Sequence, residues 1–426
     1  MAGRHHKAVA LVAALLGAAP AAIRSAAAPP AVTLAMAGRA NATPSVAAID
    51  QFVAVAWGAT LPGGGTDVYA AVSRDGARAF GAPVRVNTVE GSAALGLEQP
   101  PRLSLVPRAG HDPSIVVVWT AKSKDGTRVL TARSDDGGAA FGPATIVAAS
   151  EAGGNRGWVS TAVDRAGRVV ALWLDHRETA STRSAAPMTH EGHDHAATTA
   201  AKADGAARAQ LSKRWFAAVD GSAAQAITGG VCYCCKTALA TGPDGAIYGA
   251  WRHVYPGNIR DIAFTMSKDG GRTFTAPARV SDDHWVLDGC PENGPAIAVA
   301  ADSAVHVLWP TLVPGATADA EPALALFHAV THDGGRTFTP RQRVTTGGTP
   351  RHPQLLVTAR GLVASWDEEM PGGNRRVVLG RAMPGNAREV VSAARAQTPS
   401  LAAAGDAVIV AWTEGGQDAV VRVERR

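Results

Sequence analysis

An eight-residue segment, Ser267-Lys-Asp-Gly-Gly-Arg-Thr-Phe274, returns three more times along the chain and constrains its fold more than any other feature. The other copies are Ser134-Asp-Asp-Gly-Gly-Ala-Ala-Phe141, Thr331-His-Asp-Gly-Gly-Arg-Thr-Phe338 and, short of one glycine, Ser73-Arg-Asp-Gly-Ala-Arg-Ala-Phe80. Its chemistry is that of a self-closing turn. The Asp and Ser/Thr oxygens accept from nearby backbone N–H groups, Gly supplies positive φ, and Phe packs beneath as a plug.

Around these turns the chain has a second rhythm. Seven times a short strand is followed by a tight turn and a second strand ending in Trp, at Trp57, Trp119, Trp173, Trp251, Trp309, Trp366 and Trp412, with spacings of 46 to 78 residues. In the fourth unit the first strand is expected at Thr237 to Ala240, the turn at Gly242-Pro-Asp-Gly245, and the second strand at Ala246 to Trp251. A third strand follows at Ile262 to Met266, then the turn motif, then a fourth at Ala278 to Val280. Alternation such as Val53, Val55, Trp57 favours strands over helices. Four-stranded units repeating on this scale predict an all-β propeller of seven blades. The last unit offers three strands, Ser400 to Ala403, Val408 to Trp412 and Ala419 to Val423, and Ala31 to Met36 is expected to close the ring as its fourth. The Trp residues read as packing between blades.

The turn motif resembles the Asp-box, or BNR repeat, of sialidase-like β-propellers. That resemblance implies the propeller architecture, with six blades, as in sialidases, as the alternative count. It implies no activity by itself, because in that family the box sits away from the site.

Residues 1–28 stand apart from the propeller. Arg4 and Lys7 precede an apolar run from Ala8 to Ile23, and small residues follow, as in a cleaved secretory signal. The run is shorter than the roughly 20 residues of a membrane span. Export to the periplasm or medium is therefore expected, with residues 29–426 forming one domain. Without Arg4, Lys7 and Arg24 the formal charge falls from +5 to +2, which gives no argument for nucleic acid.

Strands alternate in direction, so the loop after each Trp and the links between blades share one face. The inner strand of each blade brings those links towards the central axis. Arg252, His253, Tyr255, Asn258, Arg260, Asp261, His284, Trp285, Asp288, Glu292 and Asn293 are expected on this face, with Arg156, Arg351, His352, Asp367, Glu368 and Glu369. So are all four cysteines of the chain: Cys232, Cys234 and Cys235 leading into blade four, and Cys290 leading into blade five.

Two readings of the cysteines stay open. An exported chain with an even count commonly forms disulfides, although three cysteines within four residues pair only with strain. Alternatively, Cys232, Cys234, Cys235 and Cys290 form a soft-metal site for copper or zinc, with His284, His253 and His352 as extra ligands. An insertion at 178–212 carries Met188, His190, His193 and His195, ligand types suited to recruiting copper. A disulfide-stiffened platform for a protein partner is a further alternative.

The resemblance also implies what a sialidase or related glycoside hydrolase would need: three arginines for the substrate carboxylate, a Tyr nucleophile activated by a Glu, and an Asp acid/base. Arg156, Arg252, Arg260 and Arg351 are available as arginines, Tyr255 and Tyr233 as nucleophiles, and Asp261, Asp288, Glu292 and Asp367 as acid, base or partner. The Arg-Ile-Pro motif that carries the first arginine in that family is absent.

Overall fold

The computed structural model describes residues 31–148, 153–181, 208–221, 223–287, 291–315, 321–380, 388–392 and 394–426. Cys290, Asp288, Met188 and the three insertion histidines lie outside them. The described strands form seven four-stranded antiparallel sheets, one per blade. Blade four runs Ala238–Thr241, Ile247–Arg252, Ile262–Ser267, Ala278–Arg279, one residue or less from the expected positions of its first three strands. Blade seven takes Ala396–Ala404, Ala407–Glu414 and Val420–Arg425, and Val32–Leu34 completes it, Val32 pairing with Val423 and Leu34 with Val421. The N-terminal strand thus closes the ring and covers an edge that would otherwise stay open.

The seven Trp residues are all buried between sheets, and most also use their indole N–H. Trp173, Trp366 and Trp412 donate to the carboxylate two residues on, Asp175, Glu368 and Glu414, at 3.2, 3.0 and 3.2 Å. Large rings supply the inter-blade core, and an acceptor close in sequence satisfies the polar edge that burial would leave costly.

In all four turn motifs the first residue's hydroxyl bonds the Asp. In the blade-four copy Ser267 Oγ donates to Asp269 Oδ1 at 2.8 Å and accepts from Gly271 N at 2.9 Å, while Asp269 Oδ1 accepts from Arg272 N and Thr273 N. Phe274 meets Phe216 of blade three edge-on at 5.0 Å, so the plug is shared between neighbouring blades. In the copy that lacks a glycine, Ala77 takes φ 70°.

The inner strands share an irregularity that shapes the functional face. In blades one, three, six and seven their register slips by one residue near the start, around Thr43, Trp158, His352 and Thr398, each at φ close to 50°. Such bulges re-aim the chain as it leaves the sheet, here on the side of the inter-blade links.

His306 and His328 lie on adjacent strands of blade five, stacked, with Nδ1 of the first 3.1 Å from Nε2 of the second. Burial holds both below the usual histidine range, His328 at about 4, where His306 adds to the shift.

Two outcomes are expected. Gly271 sits at φ 88°, and a Cβ there would collide with the Phe216 ring; Gly271→Ala should lower unfolding free energy in denaturant titration by about 2–4 kcal/mol. For His328, the unfolded chain binds the proton more tightly than the folded one. Stability should therefore be full above pH 6.5 and fall as pH drops towards about 4, by on the order of 3 kcal/mol for this residue. His328→Leu should flatten that part of the acid limb.

Candidate metal centre

The segment after blade three runs back along the end of blade four's second strand. Cys232 N donates to Arg252 O at 3.0 Å and Val254 N to Gly230 O at 2.8 Å. This pairing fixes the backbone before the chain turns at Tyr233 and folds three sulfurs together. Cys232 Sγ lies 3.5 Å from Cys235 Sγ and 3.7 Å from Cys234 Sγ, and the three sulfurs fall within 4.8 Å of one another. Ala209, Val254 and Trp158 pack around them, Trp158 brought there by the bulge in blade three's inner strand. Cys232 and Cys235 are free thiols with no exposed surface.

Three buried guanidinium groups surround this sulfur cluster. Arg260 Nη1 donates to Cys232 Sγ at 3.4 Å and Nη2 to Asn258 at 3.1 Å. Arg214 donates through Nη2 to Cys235 O at 3.2 Å, while its Nε and Nη1, like Nε of Arg260, are buried without a hydrogen-bond partner. Arg252 is spent on the scaffold: it donates to the carbonyls of Asn293, Arg260 and Pro310 and lies over the Trp285 ring. Burial alone would raise the Cys232 pKa, yet the hydrogen bond from Cys235 and the charges of Arg260 and Arg252 bring it down to about 6. Burial and the neighbouring thiolate drive Cys235 upward, so of this pair Cys232 ionises and Cys235 keeps its proton.

Glu98 links the cysteine segment to its surroundings, a role that had no sequence motif to reveal it. Its Oε2 accepts from Lys236 N and Gly294 N, both at 2.9 Å, tying the links into blades four and five together, and Lys236 Nζ reaches Pro353 O of blade six at 2.9 Å. Arg214 was also hidden, as one charged residue inside a strand; its full burial is the signal a sequence does not print.

The remaining expected residues fall into separate groups. Asp261 accepts from His284 N and Trp285 N, and burial raises its pKa. Tyr255, beneath the Arg279 guanidinium at 4.0 Å, is pushed up to about 12 by burial. His284 and Glu292 are exposed, and neither joins the sulfur cluster, nor does His253. Arg156 pairs with Asp175 at 3.1 Å, and Arg351 with Glu369 at 3.3 Å. His352 and Asp367 form a buried pair at 2.6 Å, to which Thr398 N adds a bond at 3.1 Å. Tyr233 lies beside Arg208 and Arg260.

No protein-family model and no curated protein matches the chain. Among solved structures it is similar to the GH93 alpha-L-arabinofuranosidase of Fusarium graminearum, at 10% identity and TM-score 0.53, covering 94% of this chain and 98% of that one. A Dyadobacter fermentans protein of unknown function gives 14% identity and TM-score 0.50, covering 94% and 99%. The Hadza microbial sialidase Hz136 gives 14% identity and TM-score 0.47, covering 84% and 73%. At such identities the likeness to the first two shows the fold alone, a β-propeller.

Removing the Arg260 charge tests the electrostatics of the cluster. In metal-free Arg260→Met protein, titration of thiolate ultraviolet absorbance should show the first thiol ionising well above about 6, by roughly one to two pH units.

Proposed function

We propose that this chain is an exported, sialidase-like propeller that binds a soft metal ion, copper or zinc, through its cysteine cluster. The observation that carries the reading is the set of three buried sulfurs within 4.8 Å, with guanidinium N–H donors left without partners beside them. Thiolates select Cu(I) or Zn(II), and a bound ion would hold all its sulfur ligands deprotonated. Buried arginines suit that state, since each added thiolate gives their unpartnered donors a charge to face. Cys232 and Cys235, the free thiols, are the proposed ligands. Cys234 is disulfide-bonded in this structure, and it and Cys290 would complete the set only as reduced thiols, while Arg260 and Arg214 would donate to the sulfurs and Arg252 would hold the loop. The insertion histidines His190, His193 and His195 are proposed to recruit the ion, and His284 to assist at the exposed rim.

A glycoside hydrolase of the sialidase type is the second reading, favoured by one observation: Asp261, with its raised pKa, shares a network with Tyr255 and Arg279. Arg252 and Arg260 fit it less well, because carbonyl, sulfur and amide groups already occupy their donors.

Protein purified from the export compartment should contain about one copper or zinc ion per chain by elemental analysis, with its thiols shielded from alkylation until a chelator is added. Cys232→Ser together with Cys235→Ser should abolish the bound metal without unfolding the propeller. Two intact disulfides with no metal would overturn the proposal. Release of fluorophore from a sialoside, lost on Tyr255→Phe, would put the hydrolase in its place.

A further inference from the structure

A polar cavity of ≈ 190 Å³ runs along the propeller axis, lined by the inner strands of all seven blades. This is far above the roughly 10–15 Å³ that admits one water. Strand register identifies its walls. In every blade one inner-strand residue pairs with the residue just before the buried Trp. In blades one, three and seven that residue is Ser45, Ser160 or Ser400, and in blade six it is Gln354. Blades four and five place Ala238 and Ala296 there. Blade two alone puts a charge on this ring: Arg102.

A propeller axis needs no cation to hold together, and among the described residues no carboxylate lies within hydrogen-bonding distance of Arg102. Its Nε donates to Val159 O at 2.8 Å, and its two terminal amino groups have no hydrogen-bond partner among the described residues. Lys236, on the same cavity wall, brings a second cation. Glu98 is, among the described residues, the carboxylate near both; its Oε2 accepts from two backbone N–H groups, and its Oε1 is buried without a hydrogen-bond partner. Asp367 also faces Lys236, so what the cavity offers an anion is the unused hydrogen-bonding capacity of Arg102 rather than a charge excess. The serine ring adds donors: Ser45 Oγ and Ser400 Oγ each accept a backbone N–H from the neighbouring blade, at 3.1 Å, which leaves their own O–H groups free to donate.

The geometry points to an anion site inside the propeller axis, in which the Arg102 guanidinium, supported by Lys236, Ser45, Ser160, Ser400 and Gln354, holds a small tetrahedral oxyanion. A guanidinium fork grips such an ion through paired N–H···O bonds, and the flanking hydroxyls and amide saturate its other oxygens. The site adjoins the cysteine segment through Lys236, which follows Cys235, but its central group, Arg102, lies on blade two.

Sulfate is a suitable probe because its charge is constant across the working pH range. Equilibrium dialysis of the full chain at fixed ionic strength should find about one sulfate per chain, and Arg102→Gln should weaken it by at least about tenfold. Gln354→Ala, a milder change on the opposite wall, should weaken it by a smaller factor. A direct readout avoids any folding defect in these variants: sulfate should shift the Arg102 side-chain NMR signals of the wild-type protein. Wild-type protein that takes up no sulfate, full affinity in Arg102→Gln, or Arg102 signals unmoved by sulfate would each overturn the proposal.

Discussion

The pairing of each inner strand against the residue preceding a buried Trp is the constraint on which the rest of the structure depends. Because that register is the same in all seven blades, the inner strands begin at one level, and the links that feed them converge on one face. The Trp rings fill the wedges between blades, and the indole N–H groups of Trp173, Trp366 and Trp412 are answered by Asp175, Glu368 and Glu414 without breaking the core. Val32–Leu34 then joins the end of the chain to its beginning. What the ring leaves at its centre is a set of loop segments held close together by a scaffold that cannot spread.

That crowding explains the chemistry of the functional face. Arg214, Arg252 and Arg260 are all taken out of water within one blade junction, which is costly unless negative charge meets them. Arg252 is answered by three carbonyls, but Arg214 and Arg260 are only partly answered. Ionised sulfur is the nearest source of the missing charge. The same logic makes Cys232 the acid of its pair despite its burial: the field of two guanidinium groups and the hydrogen bond from Cys235 outweigh desolvation.

Much of the architecture was legible in the sequence because it rests on local, repeated chemistry. The Asp-box turns announce themselves through Ser/Thr, Asp and Gly at fixed offsets, and the Trp endings count the blades. The three strands predicted for blade seven and the closing strand at Ala31 to Met36 appear at Ala396–Ala404, Ala407–Glu414, Val420–Arg425 and Val32–Leu34. The cysteine trio was visible as a motif. Its electrostatic shell was not: Glu98 comes from a link 138 residues away from Lys236 and is brought in by the ring, while Arg214, near in sequence, reads as an ordinary strand residue until its full burial is seen. The bulge at Trp158 was equally hidden, because a residue at positive φ without glycine leaves no compositional trace.

X-ray absorption at the edge of the metal bound by the purified protein tests the central claim most directly, because it reads the ligand atoms themselves. A first shell made of sulfur alone, losing sulfur scattering in Cys235→Ser, is the result this account predicts. A shell of nitrogen and oxygen only, unchanged by that substitution, would contradict it.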